Sequence, residues 1–266
     1  MVGRALGPLC GGSVVTTPLS LIRLHPNTTA FVHWAIEKGY LPRRGDADLG
    51  YALHVALKEA LGDFAPRPFV FQQPREGEGA VLGYVQAKPE AITEAAGLPP
   101  IRASADELGL QTIEAYAMPE DWRTGARFSF EVRTRPIVRS RGAGRDGPNH
   151  EIDVAAWAAR RAEERTEGLP AKEDAYREWL AVRFDLHGVR LIAAQLVSMR
   201  RTRVFRRPII GGNRRAREIE GPDVLFRGNL EITNGERFTE VITCGIGRHT
   251  AFGFGCLLLA PIGTWG

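Results

Sequence analysis

Apolar positions along the chain follow two periods, and the changes between them mark out the elements. Leu19 to Leu24 is a short apolar run closed by Pro26 and reads as a strand. The segment that follows holds a short helix, Thr29 to Lys38. Asp48 then stands where a cap belongs, ahead of a helix from Leu49 to Leu61 that Gly62 stops. In it Leu49, Ala52, Leu53, Ala56, Leu57, Ala60 and Leu61 recur at spacings that make one apolar stripe, which must face a core. Phe69 to Gln73 and Ala80 to Gln86 read as strands joined by a turn, Pro74 to Gly79. A weak helix covers Pro89 to Ala96, and Arg127 to Arg135 alternates as a strand. The order β-α-β-β-α-β predicts a ferredoxin-like unit.

Gly142 to Pro148 is Gly-rich and polar and is the expected linker. Beyond it, Glu173 to Phe184 has a helical period, and Val189 to Phe205 is a long β-branched run ending in arginines. Asp223 to Thr233 reads as the returning strand, Gly235 to Cys244 as a helix, and Gly255 to Ile262 as a final strand. The expectation is an α+β chain of two tandem ferredoxin-like (RRM-like) domains, residues 1–141 and 142–266. The second carries a basic hairpin and an added helix.

With 266 residues and 44% hydrophobic content the chain can bury a substantial core. No apolar run reaches membrane-spanning length and the N-terminus lacks a signal-peptide pattern, so a soluble cytoplasmic protein without membrane attachment is expected. Cys10, Cys244 and Cys256 form no C-x-x-C pair, which argues against a disulfide framework and a structural zinc; no metal or cofactor is expected. Net charge is only +4, yet of 35 basic residues four are lysine, so arginine dominates. A GC-rich genome would give that bias too, so placement along the chain has to decide.

Three placements suggest chemistry. On the helix from Leu49, the residues Tyr51, His54 and Lys58 stack at offsets of three and four on the face opposite the stripe. An imidazole can take or give a proton near neutrality, and a phenol and an ammonium can orient a phosphodiester. The same trio is also what an ordinary solvated helix face looks like. Between Arg200 and Arg217 stand eight arginines (Arg200, Arg201, Arg203, Arg206, Arg207, Arg214, Arg215, Arg217) and no acidic residue. Around the turn-like Pro208 to Asn213 they predict a projecting basic hairpin able to track phosphates. Arg133, Arg135, Arg139, Arg141 and Arg145 form a second group. Finally, Gly245-Ile-Gly-Arg-His-Thr-Ala-Phe-Gly-Phe-Gly255 connects a helix to a strand, with Gly245, Gly247, Gly253 and Gly255 able to bring amides, Arg248 and His249 close to a phosphate. It is neither a Walker A nor a Rossmann fingerprint, so nucleotide hydrolysis is disfavoured. His249 is a second proton-transfer candidate.

The segment GIGRHTAFGFGCLLLAP resembles the C-terminal glycine-rich signature of the RAMP superfamily, and most closely the CasE-like branch of CRISPR repeat endoribonucleases. Tyr51-Ala-Leu-His54 resembles the tyrosine-x-x-histidine motif of that family's first helix. FSFEVRTRPIVRS resembles the strand and corner closing its first unit, and DVLFRGNLEIT the strand returning from its basic hairpin. The resemblance spans residues 19 to 262. It implies His54 as proton-transfer residue with Tyr51 positioning it, whereas Lys58 rests on helix geometry. It also implies metal-free cleavage of precursor RNA at a repeat stem-loop, 5′-hydroxyl and phosphate or cyclic phosphate products, retention of the mature crRNA, and other effector-complex subunits as partners. The segment before Leu49 is longer than the family's usual one and carries His33. Type IV relatives can have arginine-based sites, which would bring in Arg23.

Two other readings remain open on sequence. One is an RNA-binding subunit on the same scaffold without cleavage. The other is a ferredoxin-like protein binding a small anion at the glycine-rich loop, which leaves the arginine run unexplained.

Overall fold

The computed structural model of the chain describes residues 17–41, 48–72, 79–97, 113–139, 150–165, 168–206, 209–210, 213–214 and 217–265, with side chains of residues 205–217 outside it. The predicted turn at 74–78 and linker at 142–148 fall outside the described residues.

A first antiparallel sheet has the order β2-β3-β1-β4, from β1 (Ser20–Leu24), β2 (Phe69–Gln72), β3 (Ala80–Val85) and β4 (Glu114–Ala117). Helices α1 (Thr28–Glu37), α2 (Gly50–Leu61) and α3 (Pro89–Ala96) join these strands. The apolar stripe of α2 is buried against Ile22 and Leu24 of β1 and Phe31 and Trp34 of α1. Each of its leucines contributes about 2 kcal/mol by leaving water.

The second sheet has the order β12-β5-β11-β8. Its strands are β5 (Arg127–Thr134), β8 (Val189–Arg206), β11 (Arg217–Ile232) and β12 (Leu257–Ala260). Between β5 and β8 run the short strands β6 (Ile137–Arg139) and β7 (Glu151–Asp153), then helices α4 (Val154–Arg165) and α5 (Lys172–Leu186). Two helices in that one crossover account for the expected extra helix. Helix α6 (Gly235–Cys244) links β11 to β12.

One strand is not where its period suggested. Arg127–Thr134 lies in the second sheet, between β12 and β11, and the first sheet closes with β4 instead. Alternation identifies a strand but not its sheet. β4 is a four-residue edge strand, EAYA, whose Glu and Ala have little β preference, so no pattern announces it. The chain therefore passes between sheets after Ala117 and before Arg127, upstream of residues 142–148.

The two units share a core. Leu19, Val70 and Tyr84 of the first pack with Phe130, Val132, Phe226 and Leu257 of the second. The Tyr84 hydroxyl donates to the Leu257 carbonyl at 2.7 Å, and the Gln72 amide donates to Glu131 at 2.7 Å.

β5 covers β11 only from Val224 to Glu231, whereas β8 pairs with β11 from Ile232 to Arg217. Residues 200–206 and 217–223 consequently leave the sheet as a two-stranded ribbon. It continues into β9 (Ile209–Ile210) and β10 (Asn213–Arg214), which pair antiparallel. Along β8, which is an edge strand, the register slips at Ile192 and Val197; both are bulged and exposed. None of the described helices is long and apolar enough to cross a membrane.

Tyr84→Phe removes the hydroxyl that links the units. The expected loss is ~1 kcal/mol, read in thermal unfolding as a midpoint about 2–4 °C lower; an unchanged midpoint would show that the bond does not join them energetically.

Candidate active site

The first turn of α2 lies directly on the glycine-rich loop. A Cβ at Gly50 would stand 2.0 Å from the Phe252 carbonyl oxygen, so only glycine lets helix and loop approach this closely. The loop is folded on itself: Ile246 N–H donates to Gly255 O at 2.8 Å, and Gly255 N–H to Arg133 O at 2.6 Å. Gly245 N–H donates to Val241 O at 2.9 Å. Of the four glycines, Gly245 and Gly255 thus spend their amides inside the protein. Gly255, at φ 75°, has no room for a side chain because Ile246 O would lie 2.4 Å from its Cβ.

Phe252, in a 3-10 turn (Thr250–Phe252), is the hub of the site. The His54 ring meets it edge-on at 5.7 Å and 86°, and Tyr51 at 5.8 Å and 61°. Tyr51 also packs on Tyr40 at 6.0 Å. Tyr51 and His54 are half-buried. Burial, then the nearby charges of Arg67 and Lys58, lower the His54 pKa from its ordinary 6.5. The imidazole is therefore neutral at neutral pH, in the form that accepts a proton.

Lys58 shares the face of His54 as predicted, but its ammonium does not stay there. It donates to Gly62 O at 2.9 Å and Asp63 at 3.1 Å, closing the helix C-terminus, and reaches His54 only as a field. His249, at φ 63°, also packs its ring on Phe252 at 6.0 Å, but its Nε2 is engaged 2.8 Å from Glu151, which also accepts from Arg248 Nε at 2.8 Å. Burial pushes the Glu151 carboxyl up, but its hydrogen bonds and charge contacts with His249 and Arg248 hold it down at about 2. His249, 4% exposed, is thus committed to Glu151.

Beneath the first turn of α2 lies a buried ion network. Asp48 accepts from Gly50 N–H at 2.8 Å with one oxygen and from Arg133 at 2.5 Å with the other. Arg133 grips Asp223 through two bonds of 2.8 and 2.7 Å, and Asp223 also accepts from Arg200 Nε at 2.8 Å. Burial opposes the charge on Arg133, yet hydrogen bonds and charges from Asp223 and Asp48 raise its pKa overall. Arg135 is 1% exposed and donates to the carbonyls of Thr202, Ile219 and Gly221 at 2.5–3.3 Å. Burial lowers its pKa. Arg133 and Arg135 therefore build the root of the ribbon rather than an exposed ridge, because β5 is an interior strand of its sheet.

The ribbon arginines are not uncompensated either. Arg201 donates to Glu220 at 2.7 Å, and Arg203 lies 3.7 Å from Glu220 and 3.9 Å from Glu218. The acids stand opposite on β11, outside the arginine-only window. Arg200, Arg201 and Arg203 remain about two-thirds exposed (66%, 60% and 63%). Arg207, Arg215, Arg141 and Arg145 lie outside the described residues, as do the side chains of Arg206, Arg214 and Arg217.

Arg23 is exposed, paired in register with Glu114 and Leu82, on the face of the first sheet opposite Ile22, Leu24 and α2. It is not brought to His54. His33 is exposed on α1, and Arg139 is exposed at the end of β6.

A family model described as CRISPR associated protein matches residues 19–261. The chain belongs to this family. No curated protein matches at the same stringency. Among solved structures, Thermus thermophilus Cse3 bound to an RNA representing a pre-cleavage complex superposes with a TM-score of 0.57 and 17% identity, over 92% of this chain and all of that one. The CRISPR endoribonuclease Cse3 bound to a 19-nucleotide RNA gives 0.60 and 20%, with the same coverages. Cas6e from Escherichia coli K-12 gives 0.50 and 17%, again with the same coverages. At these identities the likeness establishes the fold of this family member, two tandem ferredoxin-like units.

Sequence reasoning missed Gly50, Phe252, Glu151 and Asp223. Gly50 directly before the Tyr-x-x-His motif was the one available signal; the others act through contacts between distant segments. Gly50→Ala is expected to cost about 1–3 kcal/mol through forced separation of α2 and the loop, measured by urea denaturation. A wild-type midpoint would mean that the loop gives way without loss.

Proposed function

We propose that the chain is an endoribonuclease that binds a CRISPR repeat stem-loop and cleaves precursor crRNA by attack of the neighbouring 2′-hydroxyl, without a metal. It retains the mature crRNA and works with other subunits of an effector complex. The observation that carries this reading is the meeting of two features at one corner. Asp48 N–H donates to Arg203 O at 3.3 Å, so the helix bearing His54 starts at the root of the arginine ribbon. An A-form stem followed by exposed guanidinium groups there runs past the Tyr51 and His54 face. The relatives solved with RNA, one of them in a pre-cleavage complex, share this fold and support the assignment.

In the proposed step, neutral His54 takes the 2′-hydroxyl proton. The 2′-oxygen bonds to phosphorus as the P–O5′ bond breaks, and the departing 5′-oxygen takes a proton from water or back from the His54 imidazolium, leaving a 2′,3′-cyclic phosphate and a 5′-hydroxyl. Tyr51, held between Tyr40 and Phe252, orients the reacting group. A binding-only subunit is the second reading, favoured by one observation: the Lys58 ammonium is engaged at Gly62 and Asp63 rather than beside His54.

End-labelled repeat hairpin RNA incubated in EDTA is expected to be cut by the wild type. His54→Ala should slow the cut by about 10²–10⁴-fold, and a 2′-deoxy nucleotide at the cut should block it. Binding without any cleavage would leave the binding-only subunit. The pH dependence has a definite sign. A base must be neutral, and the His54 pKa lies below 6.5, so the rate holds at pH 7 and falls as pH drops through that lower value. Lys58→Met and Arg67→Gln each remove a charge that depresses it, so each should move the acid limb to higher pH; an unmoved limb would separate the titration from His54.

A further inference from the structure

The Arg133 fork touches both the segment leading into α2 and the ribbon strand β11. Asp48 links it to the first turn of α2 through Gly50 N–H, and Asp223 links it to Arg200, which is 66% exposed on the ribbon. Three further observations indicate that this connection is built to hold position. The Arg133 guanidinium stacks 4.3 Å from the Phe254 ring, its backbone carbonyl accepts from Gly255, and Gly253 packs beside it and Gly50. The same residue thus touches the helix cap, the ribbon root and the loop that carries Phe252.

We propose that Arg133 is the positioning residue of the cleavage site. By binding Asp48 and Asp223 together it fixes the distance between RNA held on the ribbon and the imidazole of His54, and so selects which phosphodiester is cut. This rests on the nuclease reading above. Arg133 does not touch RNA. A phosphate bound at the outer edge of Arg200 is connected through Asp223, Arg133 and Asp48 to the N-terminus of α2 by charge-assisted bonds, which are the stiff, directional kind. Loosening one of them lets helix and ribbon shift relative to each other while leaving the RNA-facing arginines in place. Because a misplacement near 1 Å costs about 10²-fold in a reaction that depends on alignment, the effect belongs in the chemical step and in the choice of bond.

Asp48→Asn keeps an oxygen for Gly50 N–H and removes the charge facing Arg133; Arg133→Lys keeps the charge and removes the fork. Both are tested with repeat hairpin RNA alongside His54→Ala. The readouts are RNA affinity, single-turnover rate at saturating protein, and product lengths on a sequencing gel. The expected result is affinity within about threefold of wild type, a rate lower by about tenfold to a hundredfold, and a second product displaced by one nucleotide. A merely structural role would not create that displaced product. Wild-type rate and a single product in Asp48→Asn would overturn the proposal, and so would a rate loss matched by an equal loss of affinity. Should thermal unfolding show that Arg133→Lys does not fold, Asp48→Asn alone decides. Wild-type cleavage by His54→Ala would overturn the nuclease site itself, an outcome distinct from failure of Arg133.

Discussion

Arg133 is shared by two carboxylates that come from different units of the chain. Placing one guanidinium in the interior costs several kcal/mol, and an ion pair seldom recovers this unless every bond is made. Here Asp223 takes two bonds and Asp48 a third, and Phe254 lies under the face of the ion. Removing Arg133 would leave the buried Asp48 carboxylate without its ion-pair partner. The first unit therefore cannot settle on the second in an approximate register. Gly50 against Phe252 O is the steric counterpart of the same constraint, since the ion network pulls together what only a missing Cβ permits to meet.

Cross-strand acids change the meaning of the arginine run. Glu218, Glu220 and Asp223 hold Arg203, Arg201 and Arg200 from one side and leave each more than half exposed. Exposed pairs of this sort add little stability. What they do is hold long side chains extended, which lowers the entropy that an incoming phosphate must remove. The exposed Glu218 and Glu220 are easily displaced from their arginines, whereas buried Asp223 keeps Arg200 in the ion network.

Local pattern made much of this visible. The stripe of α2 follows from a 3.6 period, so its burial and the outward face of Tyr51 and His54 could be read directly. Lys58 shared that face in projection, but its four-carbon stem reaches the Gly62 carbonyl, which also accepts from Ala65 N–H, and meets Asp63 there. Sheet membership was not readable, since whether RFSFEVRT pairs with β1 or with β11 depends on contacts about a hundred residues apart. That ambiguity carried the arginines with it: on a terminal strand Arg133 and Arg135 would face water, on an interior one they are enclosed. The arginine window likewise misled because antiparallel pairing brings charge from the opposite strand, not from neighbours in sequence.

The two bulges on β8 have a consequence for how the protein behaves among other copies of itself. An open edge strand offers a row of amides and carbonyls on which any extended peptide can template a further strand, and β8 is long and partly apolar enough to invite it. Extra residues at Ile192 and Val197 break the even spacing that such a ladder needs. Sheet-to-sheet polymerisation is discouraged by backbone irregularity alone, leaving the apolar side chains there free to be kept for shape-specific contact.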